Sequence, residues 1–212
     1  SSSMFGGNSM HGVTNVKSTN IDGNNNLNFQ VDKNESVRSK FLYKSLENTA
    51  VGFELVSDNG FRNHSGFDHQ KIILKNFNNI QDLSLQTLIS FTNLNQETAG
   101  YINSYFYPTR IENINPEAYR DAKSLRIKTE ISRGLKKYNI YFTPYLRFSS
   151  MKFIQHYLPG KPIEKNGQKS TGLTIKLSEI EINDNFFEIG SHVEIAFINL
   201  DQFQPDILNS PN

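Results

Sequence analysis

Residues 83–92 decide the fold class, and they read Leu-Ser-Leu-Gln-Thr-Leu-Ile-Ser-Phe-Thr. Apolar or β-branched side chains occupy every second position: Leu83, Leu85, Thr87, Ile89 and Phe91. A period of two is typical of a β-strand with one buried face, because successive side chains of an extended backbone point to opposite sides. A helix over residues 80–91 fits the spacing less well. We therefore predict a strand.

The same alternation recurs along the chain. It covers 125–131, 138–142, 171–182 and 193–197, with shorter candidates at 51–56, 71–74 and 101–107. Asn59-Gly60 and Asn166-Gly167 have the composition of tight hairpin turns, whose central residues need positive φ. Eight to ten short strands with such turns predict an all-β fold, an antiparallel β-sandwich or barrel that is jelly-roll-like.

One short helix is predicted against this background. Asn115-Pro116-Glu117 supplies a cap, a proline at the first helical position and an early acid, ahead of residues 118–122. We expect about two turns of helix there.

The domain organisation follows from composition. Residues 1–34 are rich in Ser, Asn and Gly, and we expect an extended polar arm that is either ordered by a partner or disordered. Residues 35–201 form the predicted single all-β domain, and residues 202–212 a short C-terminal tail. The longest apolar runs have three to four residues, so we expect no membrane span and find no secretory signal.

Charge is unevenly distributed along the sequence. Residues 119–170 hold 12 Lys and Arg against 3 Asp and Glu, whereas residues 171–212 hold 1 against 7. The opposite charges of these two segments either neutralise each other across neighbouring strands or make the protein a dipolar particle that packs head to tail with its copies.

The sequence carries no signature of a reaction. It lacks cysteine, a Gly-x-Ser-x-Gly elbow, a dinucleotide fingerprint and a calcium loop. We therefore expect a protein that is not an enzyme and uses no cofactor.

Two alternative sites deserve testing. The basic block interleaves cations with aromatic rings, a pattern that holds single-stranded nucleic acid; its candidate residues are Lys136, Lys137, Tyr141, Tyr145, Arg147 and Lys152. The other candidate is a metal site of a hydrolase or lectin-like binder, with His64, Asp68 and His69 as ligands. That run resembles the His-x-His-x-Asp-His motif of metallo-β-lactamase-like hydrolases, but Gly66 stands at the middle histidine position.

These observations favour a structural or assembly protein, such as a capsid, tail or spike-base subunit of a virus or phage particle. Its expected partners are copies of itself and other assembly subunits, with nucleic acid as a further option. Polar arms suit an assembly subunit, because the entropy lost on ordering them is offset only when a partner is present. Its location would then be the assembled particle.

Overall fold

The computed structural model describes residues 24–33, 35–45, 48–98, 112–113, 115–182 and 185–204. Within these residues the chain forms nine β-strands and no helix. The strands are β1 (Asn26–Val31), β2 (Val37–Ser45), β3 (Thr49–Asp58), β4 (Phe67–Ile80), β5 (Leu83–Glu97), β6 (Tyr119–Leu135), β7 (Tyr138–Ile154), β8 (Ile163–Ile182) and β9 (Asn185–Phe203). The predicted strand at 101–107 lies outside the described residues.

All nine strands belong to one antiparallel sheet in which each strand pairs with the next along the chain. The alternating segments predicted from the sequence lie within β3 to β9, and these strand predictions are confirmed. One irregularity interrupts the pairing, between Leu177 and Ile180 of β8, where Glu179 has a φ of 58°. The all-β prediction is therefore confirmed in the form of a single meander.

The two ends of the sheet differ in the length of their connections. At one end two residues join β4 to β5, β6 to β7 and β8 to β9, and three join β2 to β3. At the other end the connections span 32–36, 59–66, 98–118 and 155–162. We call these the turn end and the loop end.

The two faces of the sheet differ sharply in polarity. Paired residues on antiparallel strands point to the same face, so the register assigns every strand residue to one of two sides. The apolar face carries Leu85, Ile89 and Phe91 of β5 and their register partners. The polar face carries Gln86 and Ser90 of the same strand and their partners.

The apolar face is open, and the described residues enclose almost no core. Among them only Ala50, Val56 and Ala118 are buried hydrophobic residues. All but six of the exposed large hydrophobic side chains lie on the apolar face, the exceptions being Phe61, Tyr157, Leu158, Phe186, Ile198 and Leu200. The structure therefore has one open sheet where the sequence predicted two packed sheets, a jelly roll or a closed barrel.

The strand ends are staggered across the sheet. One register row contains Phe41, Phe53, Ile72, Phe91, Leu125, Phe148, Lys169 and Phe197. Measured from this row, β2 ends 4 residues beyond Phe41 at Ser45, and β6 ends 10 residues beyond Leu125 at Leu135. From β2 to β6 this offset grows by about 1.5 residues per strand, which is about 5 Å along the strand direction. Neighbouring strands are about 4.8 Å apart, so the shift along the strands nearly equals the step between them. A line through the turn end therefore runs at about 45° to the strands.

The predicted short helix is not formed. Asn115, Pro116 and Glu117 make a turn closed by the Ala118 amide, which donates to the Asn115 carbonyl at 3.0 Å. Residues 119–122 already belong to β6 and pair with β5 and β7. Two turns of isolated helix are marginal, and the two ladders provide backbone hydrogen bonds along this whole segment instead.

Neither Asn-Gly pair forms the predicted tight hairpin turn. Asn166 and Gly167, predicted as a hairpin turn, lie within β8 and pair with both neighbouring strands. Asn59 and Gly60 begin the eight-residue connection between β3 and β4; of the two only Gly60 has a positive φ, and its amide donates to Oδ1 of Asp58 at 2.7 Å. Residues 26–31 of the predicted arm form β1, whereas residues 1–23 and 205–212 lie outside the described residues.

Across the part of the chain described by the structure, no helix has the length and hydropathy needed to cross a membrane.

Candidate functional site on the polar face

A cluster of aromatic and polar side chains joins β7, β8 and β9 on the polar face. The rings of Tyr145 and His192 stack with their centroids 5.8 Å apart and their planes at 4°. Oη of Tyr145 lies 3.2 Å from Nε2 of His192, and Oγ1 of Thr174 lies 2.9 Å from Nδ1. Both imidazole nitrogens therefore have hydroxyl partners, which fixes the ring in place. We call Tyr145, Arg147, Thr174, His192 and Glu194 the His192 cluster.

A glycine makes the stacking possible. Gly172 is the register partner of both Tyr145 and Glu194, so the phenol ring crosses β8 directly above it. A Cβ at Gly172 would lie 2.4 Å from Cζ of Tyr145. Any larger residue would therefore displace the ring from His192.

Charges surround the stacked pair. Nη1 of Arg147 lies 3.8 Å from Oε1 of Glu194, and the guanidinium carbon lies 5.6 Å from the centre of the Tyr145 ring. Oε2 of Glu194 lies 3.9 Å from Nε2 of His192. The Arg147 and Glu194 side chains are 39% and 27% exposed, so each ion pair contributes at most about 1 kcal/mol. The cluster is thus a partly exposed set of polar side chains that bond to one another across three strands.

A band of basic residues crosses the polar face beside this cluster. Three adjacent register rows on β2 to β9 contain Lys40, Lys44, Lys71, Lys75, Arg126, Lys128 and Arg147, which we call the basic strip. The acids in the same rows are Glu54 and Glu194. Nζ of Lys40 lies 3.1 Å from Oε1 of Glu54. Positive charge therefore exceeds negative charge on this part of the sheet.

The structure brings together three of the six predicted nucleic-acid contacts. Tyr141, Tyr145 and Arg147 all lie on the polar face of β7. Nζ of Lys176 lies 4.5 Å from the centre of the Tyr141 ring, so this tyrosine has a cationic neighbour of its own.

The other three lie elsewhere. Lys136 and Lys137 form the connection between β6 and β7 at the turn end. Lys152 lies near the loop end on the side of the apolar face, with Nζ 5.3 Å from the centre of the Tyr119 ring. A hydrogen bond with Tyr119 and the charge of that residue raise the pKa of Lys152. The six residues do not make one continuous groove.

The three predicted metal ligands are likewise separated. Asp68 and His69 are consecutive in β4, so their side chains lie on opposite faces of the sheet. His64 lies in the preceding connection with a φ of 52°, and its Nδ1 is 3.7 Å from Oε1 of Glu97. Among the described residues no group of three His, Asp or Glu side chains could hold a metal ion.

Sequence reasoning missed His192 and Glu194. His192 is 47 residues from Tyr145 along the chain, and only the pairing of β7 with β8 and of β8 with β9 unites them. The sequence did contain one signal, because Thr174, Lys176, His192 and Glu194 alternate with apolar neighbours. That alternation assigns these residues to the polar face, but it does not give the register in which the strands pair.

Comparison with known proteins gives a likeness of fold. No protein-family model matches the sequence, and no curated protein matches it. Among solved structures the chain is similar to the crystal structure of the ferric citrate transporter FecA in the unliganded form, with a TM-score of 0.64 and 9% sequence identity. The match covers 79% of this chain and 26% of the transporter, so the chain spans about a quarter of that protein's length.

Proposed function

We propose that the nine strands form part of the wall of a transmembrane β-barrel that carries a polar solute. The apolar face would contact lipid and the polar face would line the interior. The observation that carries this proposal is the sheet's one-sided polarity: almost all of the exposed large hydrophobic side chains lie on one face, while the other face carries the basic strip. Water does not stabilise an exposed apolar surface of this extent, and lipid does.

The dimensions of the apolar face support the proposal. On β7 it runs from Tyr138 to Phe148, about 33 Å along the strand. With the turn end parallel to the membrane surface, its stagger inclines the strands at about 45° to the membrane. A stretch of strand of about 33 Å at that angle would span about 23 Å of membrane thickness. Transmembrane barrels have strands tilted by about 35–45° and an apolar band about 25 Å tall.

Two pairs of polar side chains within the apolar face bond across neighbouring strands, as lipid favours because it offers no hydrogen bonds. The hydroxyl oxygens of Thr87 and Thr129 lie 3.1 Å apart on neighbouring strands. Nδ2 of Asn76 donates to Oγ1 of Thr49 at 2.8 Å. Near the turn end Nη2 of Arg133 lies 2.9 Å from Oδ2 of Asp82, where both groups could reach the membrane surface.

The connections and the fold also agree with this proposal. Transmembrane barrels have short turns at one membrane surface and longer loops at the other. The likeness to a transporter supports solute passage as the role of the polar interior, and the chain would then supply part of a longer wall.

The sequence has no long apolar run, but this does not argue against a barrel strand. A lipid-facing strand needs an apolar residue only at every second position. The particle-subunit and nucleic-acid hypotheses remain predictions that no observation here favours.

Two neighbouring aromatic residues provide the test. The chain has no tryptophan, so Phe142→Trp on the apolar face and Tyr141→Trp on the polar face each introduce a single fluorophore. In vesicles of brominated phosphatidylcholine we expect the Phe142→Trp fluorescence to be quenched and the Tyr141→Trp fluorescence to be quenched far less. Aqueous acrylamide should give the reverse order. Equal quenching of the two variants by brominated lipid would contradict the proposal.

A further inference from the structure

We propose that the basic strip is a binding site for a small multivalent anion on its path along the polar face. The inference rests on the proposed function and specifies the solute class. Rings of Lys and Arg select anions in pores, and substitutions on the interior face of a barrel tune its selectivity.

The charge imbalance of the strip is the first argument. Two of its cations have acids from the same rows as partners, Lys40 with Glu54 and Arg147 with Glu194. Nζ of Lys128 also lies 3.6 Å from Oε2 of Glu130 in the adjacent row. No acidic side chain among the described residues lies within 4.0 Å of Arg126, Lys71 or Lys44.

The placement of these three cations is the second argument, although Lys71 has Glu54 as its register partner on β3. Arg126 is the direct register partner of Arg147, a pairing of like charges that destabilises a sheet, and the counter-charge of Glu194 lies beside Arg147 and not within 4.0 Å of Arg126. Nζ of Lys44 is buried without a hydrogen-bond partner. An anion held beside Arg126 would supply a counter-charge there, and one held at β2 would give Lys44 a partner.

Shape and neighbouring chemistry are the third argument. A depression of about 650 Å³ lies at the β1–β4 end of the strip, and its lining contains the cations Arg38, Lys40 and Lys71 against one acid, Glu54. Lys71 and Arg126 are two strands and one register row apart, about 12 Å between backbones, so their long side chains can converge on one anion with several charged groups. The His192 cluster adjoins the strip at Arg147 and adds hydrogen-bonding groups.

The test uses pyrenetetrasulfonate, a fluorescent tetra-anion, and the full chain in detergent micelles. Binding is measured by fluorescence anisotropy at low and at high salt. We expect the affinity to fall as the salt concentration rises. Arg126→Gln should weaken it about tenfold, because a charge-assisted contact is lost. Arg126→Lys keeps the charge and should retain most of the affinity. The matched control is Lys137→Gln, which removes one positive charge at the turn end and should leave binding unchanged.

The outcomes separate this inference from the proposed function. Absence of binding by the unsubstituted chain, or equal weakening by Arg126→Gln and Lys137→Gln, would overturn the anion site. Circular dichroism of each variant identifies one that has not folded; if Arg126→Gln is that variant, Lys71→Gln replaces it, with the same expected loss of affinity against Lys137→Gln. The lipid quenching of Phe142→Trp and Tyr141→Trp reports on the barrel wall independently, so either proposal can fail alone.

Discussion

Gly172 determines how the His192 cluster is built. Its missing side chain lets the Tyr145 ring lie across β8 and stack on His192, so that residues from three strands share one hydrogen-bonded group. Glycine costs conformational entropy in a strand, and an aromatic ring that covers it offsets part of that cost. The cluster therefore depends on one position without a side chain.

Gly172→Ala should expel the Tyr145 ring and lower the free energy of unfolding by about 1–3 kcal/mol, because the added carbon overlaps the ring. The matched control is Gly52→Ala, whose new carbon would have no neighbour closer than 3.8 Å and should change stability by less than about 0.5 kcal/mol. Urea unfolding of the folded protein in detergent measures both. In a Tyr145→Ala background the cost of Gly172→Ala should largely disappear, and an unchanged cost would show that the ring is not its cause.

The sequence predicted the positions of some site residues and missed others. Tyr145 and Arg147 were proposed from sequence as binding residues because they combine aromatic and basic character, and both lie on the polar face. Asp68 and His69 were grouped because they are adjacent in sequence, yet adjacency in a strand places them on opposite faces. His192 had no sequence neighbour to suggest a role, since its partner comes from β7.

Among single strands, β5 shows what the alternation of apolar and polar residues can and cannot predict. The pattern over 83–92 predicted the strand, and the structure extends it to Glu97. The pattern did not say which medium the apolar side contacts, because a half-buried strand and a lipid-facing strand have the same period of two. Exposure of the apolar face became visible only when all nine strands were placed in one sheet.

A charge should be tolerated on one face of β5 and not on the other. Ile89→Lys places an ammonium group in the middle of the apolar face and should lower the free energy of unfolding in lipid vesicles by about 2–4 kcal/mol. Gln86→Lys on the polar face is the control; its register partner is Glu130, so the change should stay within about 0.5 kcal/mol. Urea titration in vesicles gives both values. A similar loss for the two variants would mean that β5 has no lipid-facing side.

Local signals failed where pairing over long distances decided the structure. Asn115-Pro116-Glu117 has good helix-start chemistry, but the chain that follows pairs with β5 and β7. Asn166-Gly167 has good turn chemistry, but β8 continues through it, and Gly167 leaves room for the Asn199 side chain. In both segments two ladders of backbone hydrogen bonds outweigh a preference that is worth about 1 kcal/mol.

For the whole molecule, the sequence predicted the all-β class and one antiparallel architecture, but not a single sheet. Strand number and turn spacing are compatible with two packed sheets, a barrel or a meander, because all three bury or cover one side of each strand. What distinguishes them is whether apolar faces meet each other. In the described residues they do not, and β1 and β9 each leave one edge of the sheet without a neighbouring strand.

The central claim is that one face of this sheet contacts lipid and the other contacts water. Because the chain has no cysteine, nitroxide labels can be attached singly at each position from 83 to 91 of the protein in lipid bilayers. Collision with oxygen, which concentrates in lipid, should peak at odd positions, and collision with a water-soluble nickel chelate should peak at even positions. The two profiles should therefore alternate out of phase with a period of two. Profiles that rise and fall together, or high nickel accessibility at Ile89, would contradict the claim.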